Sequence, residues 1–130
     1  MYNKVMIVDD THMDRYIGER NIKKYNFAKE VVLKESALSA LDYLASMEKT
    51  PDELPELIFL DIRMPEIDGF GFLEKYEKLP QSVQSACIII MLSSSLDPED
   101  HNKANTNRFV NRFLNKPLNN EQLKLLTESK

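Results

Sequence analysis

Three stretches of this chain are apolar at every position: Val5-Met6-Ile7-Val8, Leu57-Ile58-Phe59-Leu60 and Ile88-Ile89-Ile90-Met91-Leu92. A short run without alternation, bounded by breakers, predicts a strand buried on both faces. Each run ends in polar residues, which are Asp9-Asp10, Asp61 and Ser93-Ser94-Ser95 respectively. Two weaker strands are expected at Val31-Val32-Leu33 and at Phe109 to Leu114. Asn111 and Arg112 interrupt the second of these, which suits the edge of a sheet. Lys116-Pro117 stops it, because proline has no N–H to donate to a ladder.

Between the strands the apolar period changes from continuous to helical. Met13, Tyr16, Ile17, Ile22 and Tyr25 are set among charges and predict a helix that Thr11 or Asp10 caps and that ends at Asn26, a residue suited to the left-handed conformation. Ser36 caps a second helix through Ala37, Leu38, Leu41, Leu44 and Ala45. Glu48 to Pro55 is a polar linker. Asp68 caps a third helix carrying Phe70, Phe72, Leu73 and Tyr76. Asp97-Pro98 starts a fourth, polar all round to about Asn107, which is expected to be mobile and solvated. Asn119 caps the last, through Leu123, Leu125 and Leu126. Strands alternating with helices predict an α/β fold with one five-stranded parallel sheet and helices on both faces. No repeat or second domain is visible, so residues 1–130 are expected to form a single domain.

Composition adds limits. Charged residues are 29% and apolar ones 42% of the 130 residues, as in an ordinary soluble domain. The net charge of −4 argues against sequence-independent binding to nucleic acid. No run approaches the ~20 apolar residues a membrane span needs, and the first residues lack the apolar core of a signal peptide. The expectation is a cytoplasmic protein with no membrane partner. The one cysteine, Cys87, adjoins an apolar run and is expected to be a buried structural thiol.

The chemistry lies where strands end. In a parallel α/β sheet the carboxyl ends of the strands share one edge, and that edge is where ligands bind. It gathers Asp9, Asp10, Asp61, Ser93 and Lys116 from four strands far apart in sequence. Carboxylates in such a cluster repel, by about 3 kcal/mol for a pair ~5 Å apart at an effective dielectric of ~20. They must hold a proton or meet cations. Lys116 supplies one charge, and an oxygen-only donor set favours Mg²⁺, or Mn²⁺, for the rest. Asp61 could then attack a phosphoryl group as a carboxylate nucleophile.

Asp9-Asp10, the segment Asp61-Ile62-Arg63-Met64-Pro65-Glu66-Ile67-Asp68-Gly69, Ser93 and Lys116-Pro117 together resemble bacterial response-regulator receiver domains of two-component systems. The resemblance covers essentially the whole chain. It implies a flavodoxin-like (βα)₅ fold and phosphorylation of Asp61 by a histidine kinase or phosphotransfer protein. It implies that Asp10, Asp61 and the backbone carbonyl of Arg63 ligate Mg²⁺, with Asp9 acting through water. Ser93 takes the switch-hydroxyl position, Lys116 the phosphate-pairing one and Phe113 the aromatic switch position. Lys116-Pro117 would be cis. Serine for the usual threonine, phenylalanine for the frequent tyrosine and a longer Glu48–Pro55 linker depart from the family. With no effector domain following Lys130, a stand-alone receiver is expected. It would catalyse only its own phosphorylation and dephosphorylation, and switch an unidentified protein target.

The expected signalling surface is the face formed by the Asp97–Asn107 helix, the fifth strand and the last helix. Arg63 and Ser95, each two residues beyond a site residue, are expected to set the lifetime of the phosphoryl group. Three other readings compete. A haloacid-dehalogenase-type phosphatase would need a second aspartate where Arg63 stands. A nucleotide binder would need a glycine-rich loop, whereas the glycines are Gly18, Gly69 and Gly71. A phosphate-independent docking module would leave the acid, hydroxyl and lysine set without a use. His12 and His101 have no metal-ligand spacing and are expected at the surface.

Overall fold

The continuous apolar runs become the middle of a sheet. In the computed structural model, which describes residues 1–94 and 97–128, five parallel strands are ordered β2-β1-β3-β4-β5. They are β1 (Tyr2–Val8), β2 (Ala28–Lys34), β3 (Leu57–Leu60), β4 (Ile88–Ser93) and β5 (Val110–Asn115). The helices are α1 (His12–Lys24), α2 (Ala37–Ser46), α3 (Gly69–Tyr76), a short α4 (Gln81–Gln84), α5 (Pro98–Thr106) and α6 (Asn120–Glu128). All four residues of β3 are buried, as its lack of alternation predicts. The weaker fifth strand is at an edge, as its polar interruption predicts.

Two cores separate the layers. One joins Met6, Val8, Ile58, Leu60, Ile89 and Met91 of the sheet to α2, α3 and Ala104 of α5. The other joins Val5, Ile7, Phe59, Ile90 and Leu92 to Ile22 of α1 and Leu123 and Leu126 of α6. Helices therefore cover both faces. The register also shifts between Ile89 and Ile90, which pair with Val110 and Arg112 and leave Asn111 as an extra residue on β5. Strict alternation would send Val110 and Phe113 to opposite faces. The extra residue places both against the α2–α3–α5 side.

Caps follow the sequence. The side chains of Ser36 and Asp68 accept from the backbone N–H groups of Ser39 and Gly71. Asp97 accepts from Glu99 N, with Pro98 in the first turn. Asn26 takes a positive φ of 53°. Asn119 and Gln122 exchange side-chain and backbone hydrogen bonds in a reciprocal cap.

Several expectations are corrected. Thr11 stands at the N-cap of α1 but its side chain makes no cap bond. The Asp9 carboxylate accepts from Thr11 N instead, at 3.0 Å. β1 begins three residues earlier than Val5, because Tyr2 is buried against Phe27 and its N–H donates to the Phe27 carbonyl. The Glu48–Pro55 linker contains a 3₁₀ turn at Pro51–Glu53 and plugs Leu54 into the core. The polar run from Asp97 to Asn107 is not solvated all round, since Asp100 and Ala104 of α5 are buried. His12 is exposed, but His101 is half-buried with its ring centroid 4.0 Å from that of Phe113. Among the described residues no helix is long and apolar enough to cross a membrane.

Candidate functional site

Register brings the polar strand ends level. Val8 pairs with Leu60, Leu60 with Met91, and Ser93 with Asn115, so Asp9, Asp61, Ser93 and Lys116 emerge at one edge. The loop beneath Asp61 is held tightly. Gly69 N donates to the Ile62 carbonyl at 2.8 Å, and a Cβ at Gly69 would lie 2.6 Å from the Asp61 carbonyl oxygen. Any larger residue at the start of α3 would push the loop away from the sheet.

Asp61 is 5% exposed. Carboxylate oxygens of Asp9, Asp10 and Asp61 lie within 4.8 Å of one another. The Asp61 carboxyl is pushed up to about 6, first by burial, then by the charge of Asp9 and less by that of Asp10, while Lys116 pulls it down. Lys116 Nζ is 2.7 Å from Asp9, 2.8 Å from Asp14 and 3.4 Å from Asp61. Burial disfavours its ammonium, but hydrogen bonds to Asp14 and Asp9 and the charges of Asp61 and Asp9 outweigh that and hold it well above its ordinary range. Both shifts are upward, which favours the charged form of Lys116 and disfavours that of Asp61. Lys116 is strongly stabilised as a cation, whereas Asp61 is not fully compensated. The distances give the reason: the ammonium is shared, and its two shorter bonds go to other carboxylates.

The donors sort themselves. Asp9 has one oxygen on Thr11 N and the other on Lys116, so little of it is left for direct ligation. Arg15 donates to the Asp9 backbone carbonyl at 2.7 Å and fixes the start of α1. Asp10 is exposed and engages no described residue by hydrogen bond or ion pair. No described residue donates to the backbone carbonyl of Arg63. This all-oxygen set, with excess negative charge and one open acid, fits a hard divalent cation and offers nothing to a soft one.

Ser93 ends β4 and is buried, and its carbonyl accepts from Lys116 N at 2.9 Å. The Lys116-Pro117 bond is cis. Phe113 is half-buried between β5 and α5. The Arg63 side chain, expected from sequence to help set the lifetime of the phosphoryl group, is 2.5 Å from the buried Asp100 carboxylate of α5. Ser95 lies outside the described residues. Sequence reasoning missed Asp14 and Asp100. Asp14 did carry a signal, being one helical turn after Asp10 on the same helix start; Asp100 carried none beyond its charge.

Comparison with known proteins fits this arrangement. The profile of the response regulator receiver domain matches residues 5–128. Protein PilG of Pseudomonas aeruginosa is 30% identical over 122 residues, which cover 92% of this chain and 81% of PilG. The crystal structure of a response regulator receiver protein from Dyadobacter fermentans superposes with a TM-score of 0.87 at 32% identity, covering 97% of this chain and 95% of that one. The receiver domain of the histidine kinase CKI1 from Arabidopsis thaliana, crystallised with Mg²⁺, gives a TM-score of 0.83 at 26% identity, over 98% and 92% of the two chains.

Proposed function

Because the chain belongs to the response regulator receiver domain family, we propose that Asp61 accepts a phosphoryl group from a histidine kinase or phosphotransfer protein in the cytoplasm. The observation that carries this is the buried Asp61 carboxyl at the meeting point of three strand ends, 3.4 Å from the Lys116 ammonium. One Asp61 oxygen attacks phosphorus, and the P–O bond forms as the P–N bond of a phosphohistidine breaks, its electron pair leaving on the imidazole. Attack requires the ionised acid, which burial and Asp9 disfavour, so positive charge must be present beside it. Mg²⁺ or Mn²⁺, held by Asp10, Asp61 and the Arg63 carbonyl and through water by Asp9, supplies such charge when bound. Lys116 pairs with the phosphoryl oxygens that result.

The Ser93 hydroxyl donates to a phosphoryl oxygen, and Phe113 follows into the space it vacates. The face of α5, β5 and α6 then changes its affinity for a protein target. This pairing of a hydroxyl with an aromatic ring is a two-state element, biased by the phosphoryl group. Arg63 and Ser95 set how readily water reaches the phosphorus, with Arg63 restrained by Asp100.

The test is incubation with Mg²⁺ and acetyl phosphate or phosphoramidate, followed by intact mass. One added phosphoryl group is expected, and none on Asp61→Asn. Undiminished labelling of that variant would move the acceptor elsewhere. Hydrogen exchange with and without beryllofluoride tests the switch, with changes expected on α5 and β5; changes confined to the opposite face would overturn it.

A further inference from the structure

The site has a fourth carboxylate. Asp14, in the first turn of α1, accepts from Lys116 Nζ at 2.8 Å, nearly as short as the 2.7 Å contact to Asp9 and well inside the 3.4 Å separation from Asp61. We propose that Asp14 is a positioning residue that holds the Lys116 ammonium in a resting place between Asp9 and Asp14, and that this ion pair is surrendered when a phosphoryl group arrives on Asp61. The proposal rests on the reading of Asp61 as phosphoacceptor.

Three observations support it. Asp14 is near the N-terminus of α1, where the helix favours a negative charge and the backbone fixes its place. Lys116 has three donors for three carboxylates, so the phosphoryl oxygens must compete with existing partners rather than recruit a free ammonium. A cavity of about 20 Å³ lies alongside, lined by Ile7, Ile17, Leu92 and Leu118 as well as by Asp14 and Lys116. Large enough for about one water, it leaves slack beside the apolar stem of Lys116 for a small shift of the ammonium. Of the two short bonds, the one to Asp14 is the one to yield. Asp14 is 36% exposed and can be solvated when abandoned, whereas Asp9 is 4% exposed and cannot.

Asp14→Asn keeps the shape, removes the charge that holds Lys116, and should therefore tighten beryllofluoride. The exposure of Asp14 keeps the effect modest, about fivefold in affinity. Beryllofluoride binding in Mg²⁺ is titrated by tyrosine fluorescence or NMR, with thermal melting as the check on folding. Asp14→Glu should restore wild-type affinity, because it restores the charge. Glu19→Gln, which removes an α1 acid paired with Lys23 instead, should change nothing. In a Lys116→Arg background the Asp14→Asn effect should shrink, since a planar guanidinium cannot share itself in the same way. Equal beryllofluoride affinity in wild type and Asp14→Asn would overturn the proposal, as would an equal gain in Glu19→Gln. Failure of the wild type to bind beryllofluoride at all would instead overturn the assignment of Asp61.

Discussion

Asp61 should make the metal-free protein less stable than a variant that cannot ionise there. Its carboxyl lies at about 6 in the folded chain, against an ordinary 3.8. The difference, 6 − 3.8, is about two pH units, and at 1.36 kcal/mol per unit it is worth about 3 kcal/mol. The sign follows from proton binding. Between pH 4 and 6 the folded state holds a proton that the unfolded state has lost, so stability falls as pH rises through this window. Below pH 4 both states are protonated and the contribution is fully present; above pH 6 it is gone. Asp61→Asn has no such proton. Its advantage over wild type should be near zero at pH 4, grow through pH 6 and level off above pH 7. The amide leaves Lys116 with Asp9 and Asp14 as partners, so the plateau should reach about 2–3 kcal/mol. Urea melts in EDTA at several pH values give the difference directly. Millimolar Mg²⁺ should then narrow it, because an ion that binds only the folded wild type stabilises it by mass action. A difference that does not vary with pH, or one that favours wild type at pH 8, would refute the electrostatic account of the site.

Three further outcomes are expected. Gly69→Ala puts a methyl 2.6 Å from the Asp61 carbonyl and 2.9 Å from Met91 Cε, so it should lose about 1–3 kcal/mol by urea melting and slow labelling of Asp61. Cys87, whose thiol burial pushes up to about 12 against a weaker opposing hydrogen bond from Tyr76, should resist alkylation at pH 8 until the protein is unfolded; rapid labelling of the native state would contradict this. Arg63→Asn combined with Ser95→Glu should lose phosphate about tenfold faster in Mg²⁺ without kinase, a change of only ~1.4 kcal/mol in the barrier, and equal rates would remove both residues from the account.

How much of this was legible depended on the kind of interaction. Leu57–Leu60 and Ile89–Leu92 announced themselves, because burial on both faces removes all alternation. The gathering of Asp9, Asp10, Asp61 and Lys116 was legible too, since parallel topology alone puts those strand ends on one edge. Edge strands were harder. β2 starts at Ala28 with exposed Lys29 and Glu30, so only its Val31–Leu33 centre stood out. α4 spans four residues, too few to show a period. The burial of Asp100 was hidden for a different reason: a sequence records that a residue is acidic but not that an arginine 37 positions away will neutralise it. The Asp14 bond to Lys116 spans 102 positions and depends on how closely α1 packs on the sheet, where Gly18 allows a close approach to Ile7.

The buried acid of α5 also bears on how a change at Asp61 would be felt elsewhere. Adjacent residues of that helix make two different contacts. Asp100 holds Arg63, in the loop that leaves the site, and His101 stacks on Phe113 of β5. α5 is otherwise polar, with Ala104 its one buried apolar residue, so few apolar contacts tie it to the sheet. An element with so little buried apolar surface sits at the low-stability end of a fold, where a small bias moves it. The bulge at Asn111 lets Val110 pack on the side that carries α5. Phe113 pairs with Met91 and so faces the same side, towards His101 and the helix that carries Asp100. Phe113→Ala, which removes the ring that His101 stacks on, should therefore uncouple α5 from β5 while leaving the carboxylates in place. The Phe113→Ala variant would still label on Asp61, but beryllofluoride would no longer alter hydrogen exchange in α5. Retained protection changes in α5 would mean that the signal travels through Arg63 and Asp100 alone.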